Sequence, residues 1–579
     1  MSRTPNYDAK ARSVLDALQP GERICALTGE KWTMDEAEIG WYRKFNVPPS
    51  PYAPLTRWYL LAGTALGFEW WWNAHAETGK PVLTYIHPAS GVRVLPDAEW
   101  HQKDFAEKGT AFDEARPFFE QLLALRQRVP LPATLNVKEP QNSIAVISQG
   151  ETNSYFTIGC QGKNSFYSSD GLDMESSSEI YGVQHVADSY QAIYGERVHN
   201  CRAVSHSYDC ANSSFLFDCR NCEDCFGGTN LRNRRHVFFN RQLTPEAYAE
   251  RMRDIDLSRR SVFGAYRRKF EELMAADAYW PENFNEKSPD STGEYLRDCV
   301  ECRNCFNSFG GPRNNAWCAW AYGKAEGNYF SLGAIDASDA YSCVAAMECR
   351  GARFCLNMNR SRNVEYCVNC LNCEDCFGCV GLNRKKFHIF NRPYAEEDYW
   401  RELDRLKCLL LKRGEYGLPF PQAFSTSYFF ESVAGQNLAA TEADRVKYGF
   451  PIFDPESCGA VGKLAETAAA RPSAEVPDAI DDLDPAAWAG VPLLDQACGR
   501  RFAFLRPELE FYRARRIAPP VEHFITRVKR LYQTANVFLM EDAACAKCGA
   551  ALRVAKNVTY KNRRHLCRAC YLRFLEENG

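Results

Sequence analysis

Residues 221–227 read NCEDCFG, and the same seven residues return at 372–378. In each copy an asparagine, Asn240 or Asn391, stands eighteen residues after the first cysteine, in HVFFNRQLTPEAY and FHIFNRPYAEEDY. Each copy then opens an amphipathic helix, and in the first copy Thr244 is the expected N-cap. The middle of the chain therefore consists of two related units.

Short apolar pieces precede each copy of NCEDCFG and alternate with polar turn residues. NSYFTIG, SEIYGV and DSYQAIY come before the first copy, and NAWCAW, GNYFSLG and DAYSCVA come before the second. The pattern returns every ten to fourteen residues, which is too short for a sandwich and too regular for loops. It predicts a mainly β chain with two short-coil parallel β-solenoid units, each closed by its amphipathic helices. A β-sandwich is the competing structure.

The two ends of the chain are also related to each other. Residues 38–57 read EIGWYRKFNVPPSPYAPLTR, and residues 508–527 read ELEFYRARRIAPPVEHFITR. CALTGEKW and CGRRFAF stand upstream of these stretches, and HAETGK and CAKCGA stand downstream. The sequence predicts a small α+β module of the zinc-ribbon type at each end of the chain.

The C-terminal module carries two C-x2-C pairs with eighteen residues between them. This spacing suits a tetrahedral zinc ion held by Cys545, Cys548, Cys567 and Cys570. Gly549 follows the first pair and permits a tight turn. Four thiolates leave no coordination position for water, so we predict one structural zinc site. Iron in place of zinc, and cysteines without metal, are the alternatives.

The N-terminal module has other residues at the corresponding positions. Alignment of the two modules places His75, Thr78, Pro96 and Glu99 where the four cysteines stand. This set cannot hold zinc in the same way. Trp100 still matches Tyr571, so we expect the fold to survive around a degenerate site.

Further cysteines occur in runs within the two middle units. One interpretation is packing, because cysteine is small, apolar and readily buried, and stacked coils align like residues. A second is additional metal, either zinc or an iron–sulfur cluster, although the C-P of the bacterial ferredoxin run is absent. Disulfides are a third, disfavoured in a reducing compartment. The candidate additional ligands are Cys219, Cys222, Cys225, Cys299, Cys302, Cys305, Cys367, Cys370, Cys373, Cys376 and Cys379.

Composition divides the chain further. Its 579 residues include 26 cysteines and carry a formal net charge of −3. Residues 462–496 are rich in Ala, Pro and Asp, which predicts a flexible acidic linker. From Cys498 onward, 17 Lys and Arg stand against 7 Asp and Glu. The predicted parts are a degenerate module (1–135), two β-solenoid units with capping helices (136–290 and 291–461), the linker (462–496) and a basic ribbon module (497–579).

The chain resembles a family of cysteine-rich proteins frequent in uncultured bacteria with small genomes. The resemblance rests on WYRKFNVPP, NCEDCFGCVGL, FNRPYAEEDY, ELEFYR and CRACY, and covers most of the chain. Where that family has C-P-x-C-R, this chain has APLTR at 53–57 and HFITR at 523–527, so Cys25 and Cys498 lose their expected partners. The resemblance implies zinc-ribbon modules and a repeat body, and it implies no activity.

The sequence favours a non-enzymatic, zinc-binding scaffold or adaptor, because we find no nucleophile, phosphate-binding or metalloprotease motif in it. The basic C-terminal module is expected to contact nucleic acid or an acidic protein surface, including this chain's own body. An iron–sulfur or thiol-based redox protein and a component of a surface or virion assembly are the alternatives. The polar N-terminus and the charged residue within 58–72 favour a cytoplasmic protein without a membrane span. The candidate nucleic-acid contacts are Tyr560, Lys561, Arg563, Arg564, Arg568, Tyr571 and Arg573.

Overall fold

A computed structural model describes residues 2–455 and 469–578 of the chain. The structure is strand-rich, with 31% strand and 27% helix. It divides into two units, and each unit combines two segments that are distant in sequence. The first unit contains residues 1–133 and 285–461, and the second contains residues 134–284 and 462–579. Each unit thus combines one terminal module with one repetitive segment of the middle.

The N-terminal module contains two antiparallel hairpins, β1–β2 and β3–β4, each followed by helices or short strands. Its elements are α1 (Pro5–Asp16), β1 (Gly21–Ile24), β2 (Lys31–Met34), α2 (Glu36–Phe45), α3 (Pro54–Thr64), β3 (Trp71–Ala74), β4 (Pro81–Thr84), β5 (Val94–Leu95), α4 (Asp97–Trp100), α5 (Phe118–Arg128) and β6 (Leu131–Pro132), with 3-10 turns at Pro88–Ser90 and Phe105–Lys108.

The repetitive segment of the second unit, here called the first stack (residues 136–242), forms one twelve-stranded sheet. The helices α6 and α7 and the strand β19 follow it. The elements are β7 (Ile144–Val146), β8 (Tyr155–Ile158), β9 (Gly162–Lys163), β10 (Phe166–Ser169), β11 (Leu172–Glu175), β12 (Ser178–Ala187), β13 (Tyr190–His199), β14 (Arg202–Ala211), β15 (Ser214–Phe217), β16 (Phe226–Thr229), β17 (Val237–Phe238), β18 (Arg241–Gln242), α6 (Pro245–Arg253), α7 (Arg260–Asp277) and β19 (Tyr279–Pro281).

The second stack (residues 285–393) belongs to the first unit and forms sheets of six and four strands. Its elements, and the helices that follow it, are β20 (Gly293–Arg297), β21 (Cys305–Phe309), β22 (Ala316–Ala319), β23 (Tyr329–Leu332), β24 (Tyr341–Met347), β25 (Leu356–Asn359), β26 (Arg362–Glu365), β27 (Glu374–Phe377), β28 (Lys386–Ile389), β29 (Arg392–Pro393), α8 (Glu396–Lys412), a 3-10 turn (Gln422–Phe424), α9 (Val433–Asn437) and α10 (Glu442–Tyr448).

The C-terminal module repeats the arrangement of the N-terminal one. Its elements are β30 (Arg471–Pro472), 3-10 turns at Ser473–Glu475 and Ile480–Asp482, α11 (Pro485–Trp488), β31 (Leu493–Asp495), β32 (Arg500–Phe502), α12 (Arg506–Ala514), α13 (Phe524–Thr534), β33 (Met540–Ala544), β34 (Ala551–Ala555), β35 (Arg564–Leu566) and α14 (Arg568–Asn578).

Apart from the antiparallel pair at the end of each stack, the paired strands of both stacks run parallel at a nearly constant offset. The offset is eleven residues between β8 and β10, where Tyr155 pairs with Phe166. It is thirteen between β21 and β22, where Phe306 pairs with Ala319. Most pairs have an offset of twelve, as for Tyr190 and Arg202. A β-sandwich pairs its strands antiparallel, so the pairing in the stacks differs from that alternative.

A period of three residues underlies each coil. Asp218, Asn221 and Asp224 all have φ of 51°, in the left-handed region that Asn and Asp tolerate better than most residues. Each is followed by a cysteine that is at most 1% exposed. A polar residue thus turns the chain and a small residue then points inward, which explains the text N-C-E-D-C.

Inward cysteines and serines satisfy the backbone in the same way. The Cys219 thiol donates to the carbonyl of Phe217 at 3.4 Å. The Ser189 hydroxyl donates to the carbonyl of Ala187 at 2.8 Å and accepts the N–H of Cys201 at 3.1 Å. Because both side chains are small and both can donate to a carbonyl two residues earlier, they alternate along the interior.

Each stack ends in an antiparallel strand pair, β17–β18 or β28–β29, and a helix follows. The repeated asparagines close these ends: Asn240 accepts the N–H of Thr229 at 2.9 Å and Asn391 accepts that of Val380 at 2.8 Å. The predicted N-cap is confirmed, because the Thr244 side chain accepts the N–H of Ala247.

The segment predicted as a linker is folded where the structure describes it. Its first residues, 462–468, lie outside the described residues. From residue 471 onward the chain forms β30, two 3-10 turns, α11 and β31. Val476, Ile480 and Leu483 are at most 2% exposed. These apolar residues, spaced within the acidic run, bury the chain and correct the prediction of a flexible tether for this part.

Candidate metal centre

The four cysteines predicted as zinc ligands lie together. Cys545 follows β33, Cys548 lies in the turn before β34, Cys567 precedes α14, and Cys570 lies in its first turn. Their Sγ atoms all lie within 4.8 Å of one another. In the part of the chain that the structure describes, this is the one group of three or more His, Cys, Asp or Glu at such distances. The group could therefore hold a metal ion.

The dimensions of the group suit a tetrahedral ion. A metal bound at about 2.3 Å to four sulfurs places the sulfurs roughly 3.8 Å apart, and the Sγ atoms of Cys548 and Cys567 are separated by 3.7 Å. Burial opposes ionisation of Cys545, but backbone hydrogen bonds from Cys548, Cys567 and Lys547 lower the pKa of its thiol to about 6. Since a metal binds thiolates, this favours the bound state.

The backbone of this turn recurs at three other places, one at each of the other hairpins of the two terminal modules, β1–β2, β3–β4 and β31–β32. In the metal turn, Gly549 donates its N–H to the carbonyl of Cys545 at 2.9 Å. The three equivalent distances are 2.8 Å for Gly29 to Cys25, 3.0 Å for Gly79 to His75 and 2.8 Å for Gly499 to Asp495. All four glycines have φ between 69° and 74°, which suits glycine. The four hairpin turns are therefore built alike.

The turn that begins at His75 is held by hydrogen bonds of the imidazole in place of four cysteines. His75 Nδ1 accepts the N–H groups of Glu77 and Thr78, each at 3.2 Å. His75 Nε2 lies 3.0 Å from Glu99 Oε2, and Trp100 follows Glu99. Of the four aligned residues, His75 and Glu99 thus contact each other. Pro96 accepts the N–H of Trp100 through its carbonyl at 2.9 Å.

The other two turns also replace the missing cysteines by hydrogen bonds. Cys25 Sγ lies 3.4 Å from Thr56 Oγ1. Burial opposes ionisation of Cys25, but hydrogen bonds from Thr28, Thr56 and the backbone lower its pKa to about 7. Asp495 accepts the N–H groups of Ala497 at 3.0 Å and His523 at 2.9 Å. Cys25 and Cys498 therefore have polar neighbours, although the cysteines expected from the resemblance are lost.

The metal group adjoins a buried polar contact with the first stack. The Tyr571 hydroxyl, one residue after Cys570, donates to Asp218 Oδ2. Asp218 is 2% exposed. Its carboxylate also accepts Arg232 at 3.0 Å and Asn230 at 2.7 Å, and Arg232 reaches the Tyr571 hydroxyl at 3.1 Å. A fixed tyrosine thus connects the cysteine group to a corner of the stack.

This packing accounts for four of the seven residues predicted to contact nucleic acid. Tyr571 is the first of these four. The second is Tyr560, and burial raises the pKa of its hydroxyl to about 12. Arg563 donates to Ala555, Asn536 and Glu541, with its side chain 2% exposed. Arg564 donates to the carbonyl of Ala278 and lies over the Tyr279 ring. These four side chains contact the protein's own residues, and nucleic-acid contact by the seven residues stays a prediction. The remaining three, Lys561, Arg568 and Arg573, are exposed.

A second contact holds the C-terminal module on the first stack. Arg527 donates to Glu179 and, at 3.2 Å, to the Tyr512 hydroxyl. Its guanidinium lies 4.9 Å from the Tyr167 ring centroid. The Tyr167 hydroxyl donates to Glu508 Oε2 at 2.8 Å, and burial raises the pKa of Glu508. Arg527 and Glu179 are both buried and form an ion pair that crosses from module to stack.

The first unit repeats this contact with the residues that the terminal repeat predicts. Glu38, Tyr42 and Arg57 correspond to Glu508, Tyr512 and Arg527. Arg57 pairs with Glu38, which also accepts the Tyr42 hydroxyl at 2.7 Å. The Arg57 guanidinium lies 4.1 Å from the Phe330 ring centroid of the second stack. The aromatic packing agrees as well, because Trp41 stacks on Tyr329 at 5.0 Å as Phe511 packs on Phe166 at 5.2 Å.

The eleven cysteines predicted as additional ligands line the interiors of the two stacks. All are buried, and none belongs to the group of close ligand atoms that the described residues contain. Their thiols donate to backbone carbonyls, as Cys373 does to Leu371 at 3.3 Å. Burial raises the pKa of Cys201 and Cys349 elsewhere in the stacks to about 12, whereas hydrogen bonds from neighbouring cysteines lower the pKa of Cys302 to about 3 and that of Cys373 to about 4. The burial and the backbone hydrogen bonds of the eleven cysteines accord with packing. Metal binding by the eleven cysteines stays a prediction.

Sequence reasoning missed the stack residues that receive the modules, namely Asp218, Glu179 and Phe330. Their signal is weak, because each stands at a left-handed corner where other coils carry other residues. The modules' own residues were visible in the terminal repeat.

Among the described residues, no helix combines the length and apolar character needed to cross a membrane. Comparison of the chain with protein-family models, curated proteins and solved structures finds no match.

Proposed function

We propose that this protein is a non-enzymatic, zinc-binding scaffold or adaptor. The observation that carries the proposal is the cysteine group with its neighbour Tyr571: four sulfurs close the coordination shell, and the next residue fixes the module to the stack. A closed shell of four thiolates leaves no place for a substrate, so the metal's role is structural. Both stacks then offer extended polar surfaces to partners.

In this proposal each stack is a β-solenoid unit and each terminal module is of the zinc-ribbon type. The constant parallel offset and the inward row of small residues support the first part. The four equivalent hairpin turns support the second. The N-terminal module is degenerate, because His75 and Glu99 form a hydrogen bond where ligands would stand.

Metal analysis of the full-length native protein tests the proposal. We expect one zinc per chain, bound by four thiolates, and no iron. Replacement of Cys548 by Ser should remove the zinc, whereas replacement of the exposed Cys498 should not. Iron together with absorbance at about 400 nm would instead support a cluster in the stacks and a redox function. Protein that binds neither metal would refute the proposal.

The partner of the basic module is proposed to be an acidic protein surface or nucleic acid, reached through Lys561, Arg568 and Arg573. An acidic protein surface is favoured, because the module already uses this mode on its own stack, where Arg515 pairs with Asp188 at 2.5 Å. Fluorescence anisotropy of the full chain with single- and double-stranded DNA and RNA at several salt concentrations separates the two. Salt-sensitive binding that is lost when the three residues become Gln would establish nucleic acid.

A further inference from the structure

The helix α14, which follows Cys567 and contains Cys570, has a small apolar face. Tyr571 is the only buried residue of α14, all eleven residues of which the structure describes. Leu572, next to it, is 50% exposed. Phe574 packs on Tyr279 at 4.7 Å, and Phe574 and Leu575 are partly buried against the cluster of Cys545, Leu566 and Tyr571. An isolated helix of eleven residues is marginal in water, and its stability normally comes from a buried apolar face. Here that face is only partly buried.

A bound metal would add to this partly buried face. Cys567 precedes the helix and Cys570 lies in its first turn, so a bound ion would tie the start of α14 to the hairpin β33–β34. That fixes where Tyr571 points. The tyrosine hydroxyl then enters the pocket of Asp218, Asn230 and Arg232. Without the ion, the short pairing of β35 with β19, the Tyr571 contact and the partly buried Phe574 and Leu575 would hold the segment.

The equivalent helix of the N-terminal module needs no metal. Trp100, the counterpart of Tyr571, is 1% exposed and donates its Nε1–H to the carbonyl of Pro130 at 3.0 Å. Trp100 packs on Phe105 at 5.9 Å and faces Gly381 of the second stack, where an added Cβ would lie 3.8 Å from its ring. The hydrogen bond between His75 and Glu99 stands where the metal group would be. One protein thus contains a metal-dependent contact and a metal-free control.

We propose that the metal at the four cysteines acts as a latch, so that its loss releases α14 and Tyr571 from the first stack while the N-terminal module stays docked. This inference rests on the proposed zinc site. The latch is open to its surroundings, because Cys548 is exposed and Cys567 and Cys570 are half-buried. A competing thiol-rich or nitrogen chelator can therefore reach the ion in the folded protein. The released surface would include Asp218, whose carboxylate would then face solvent with Arg232.

Hydrogen–deuterium exchange on the full-length protein tests the latch. Zinc content and exchange are measured in the same sample before chelation, after chelation and after zinc is returned. We expect amide exchange in residues 568–578 to accelerate at least tenfold on chelation and to recover with zinc, while exchange in residues 97–104 does not change. Tyr571→Phe should keep the zinc content and still accelerate exchange in 568–578.

The possible failures are distinguishable. If the protein binds no zinc, the proposed function fails and the latch fails with it. If zinc is bound and its removal leaves exchange in 568–578 unchanged, the latch alone is overturned. Equal acceleration in 568–578 and 97–104 also overturns it, because the metal would then stabilise the whole chain rather than one helix.

Discussion

Replacement of Arg57 by Met removes the cation from the buried contact between the N-terminal module and the second stack. The side chains of Arg57 and Glu38 are 5% and 7% exposed. Burial opposes the charge of Arg57, but Tyr42, Tyr329 and Glu38 beside it keep its pKa far above neutrality. Met fills much of the same volume and packs against Phe330, so the loss is mainly electrostatic. Glu38 then stays buried and keeps the hydrogen bond from the Tyr42 hydroxyl.

The expected cost follows from protonation of the orphaned carboxyl. At pH 7, neutralising a glutamate with an unfolded pKa of about 4.3 costs about 3.7 kcal/mol, from 1.36 kcal/mol per pKa unit. At pH 5 the same step costs about 1 kcal/mol. Because burial disfavours the charged carboxylate that Arg57→Met leaves unpaired, the variant is expected to lose stability relative to the native protein as the pH rises from 5 to 7.

Urea unfolding followed by tryptophan fluorescence measures this loss of stability in the first unit, which contains Arg57. Of the 12 tryptophans, all but Trp280 and Trp488 belong to the first unit. Glu38→Gln is the matched control, because the guanidinium of Arg57 cannot lose its proton and the deficit should not depend on pH. Combining Arg57→Met with Glu38→Leu should recover most of the loss. A deficit for Arg57→Met that is equal at pH 5 and pH 7 would refute the reasoning.

Three further outcomes are expected. Cys219→Ser should lower the free energy of unfolding by less than about 1.5 kcal/mol in thermal unfolding, because the hydroxyl can make the same backbone hydrogen bond. Cys219→Val should lower it more, because valine leaves the carbonyl of Phe217 without that donor. Equal losses for the two variants would contradict this description of the stack interior. Asn221→Ala should cost about 1–2 kcal/mol at its φ of 51°, and Asn221→Gly much less, as chemical denaturation would show. Cys548→Ser should lower the zinc content measured by mass spectrometry and Cys498→Ser should not; loss of zinc from both would place the site elsewhere.

The sequence predicted the strand-rich character, the relation between the two ends and the four cysteines that lie together. These depend on local text, such as the two copies of NCEDCFG and the C-x2-C pairs. The period of three was present in Cys219, Cys222 and Cys225 but was hidden, because elsewhere serine, alanine or valine takes the inward place. Only the backbone conformation makes those residues equivalent.

The partner of each module could not be read from the sequence. The module that begins the chain packs on the second stack, and the module that ends it packs on the first. The sequence around Arg57 or Arg527 does not indicate which aromatic residue of a stack the guanidinium contacts. Phe330 and Tyr167 sit at left-handed corners that resemble many others. Such contacts form between segments that are distant in sequence, so a periodic pattern within one segment does not predict them.

The four hairpin turns show that the same turn backbone forms with four cysteines at one place and without them at the others. What the turn itself requires is an acceptor for its inward N–H groups, and sulfur, imidazole nitrogen and carboxylate oxygen all supply one. His75 and Asp495 therefore preserve the turn without metal. What a bound metal would add is a link between the hairpin and the helix that follows. Where Trp100 buries that helix, the link is dispensable. In α14, where Tyr571 is the only buried residue, the link is needed, and the four cysteines lie beside this helix.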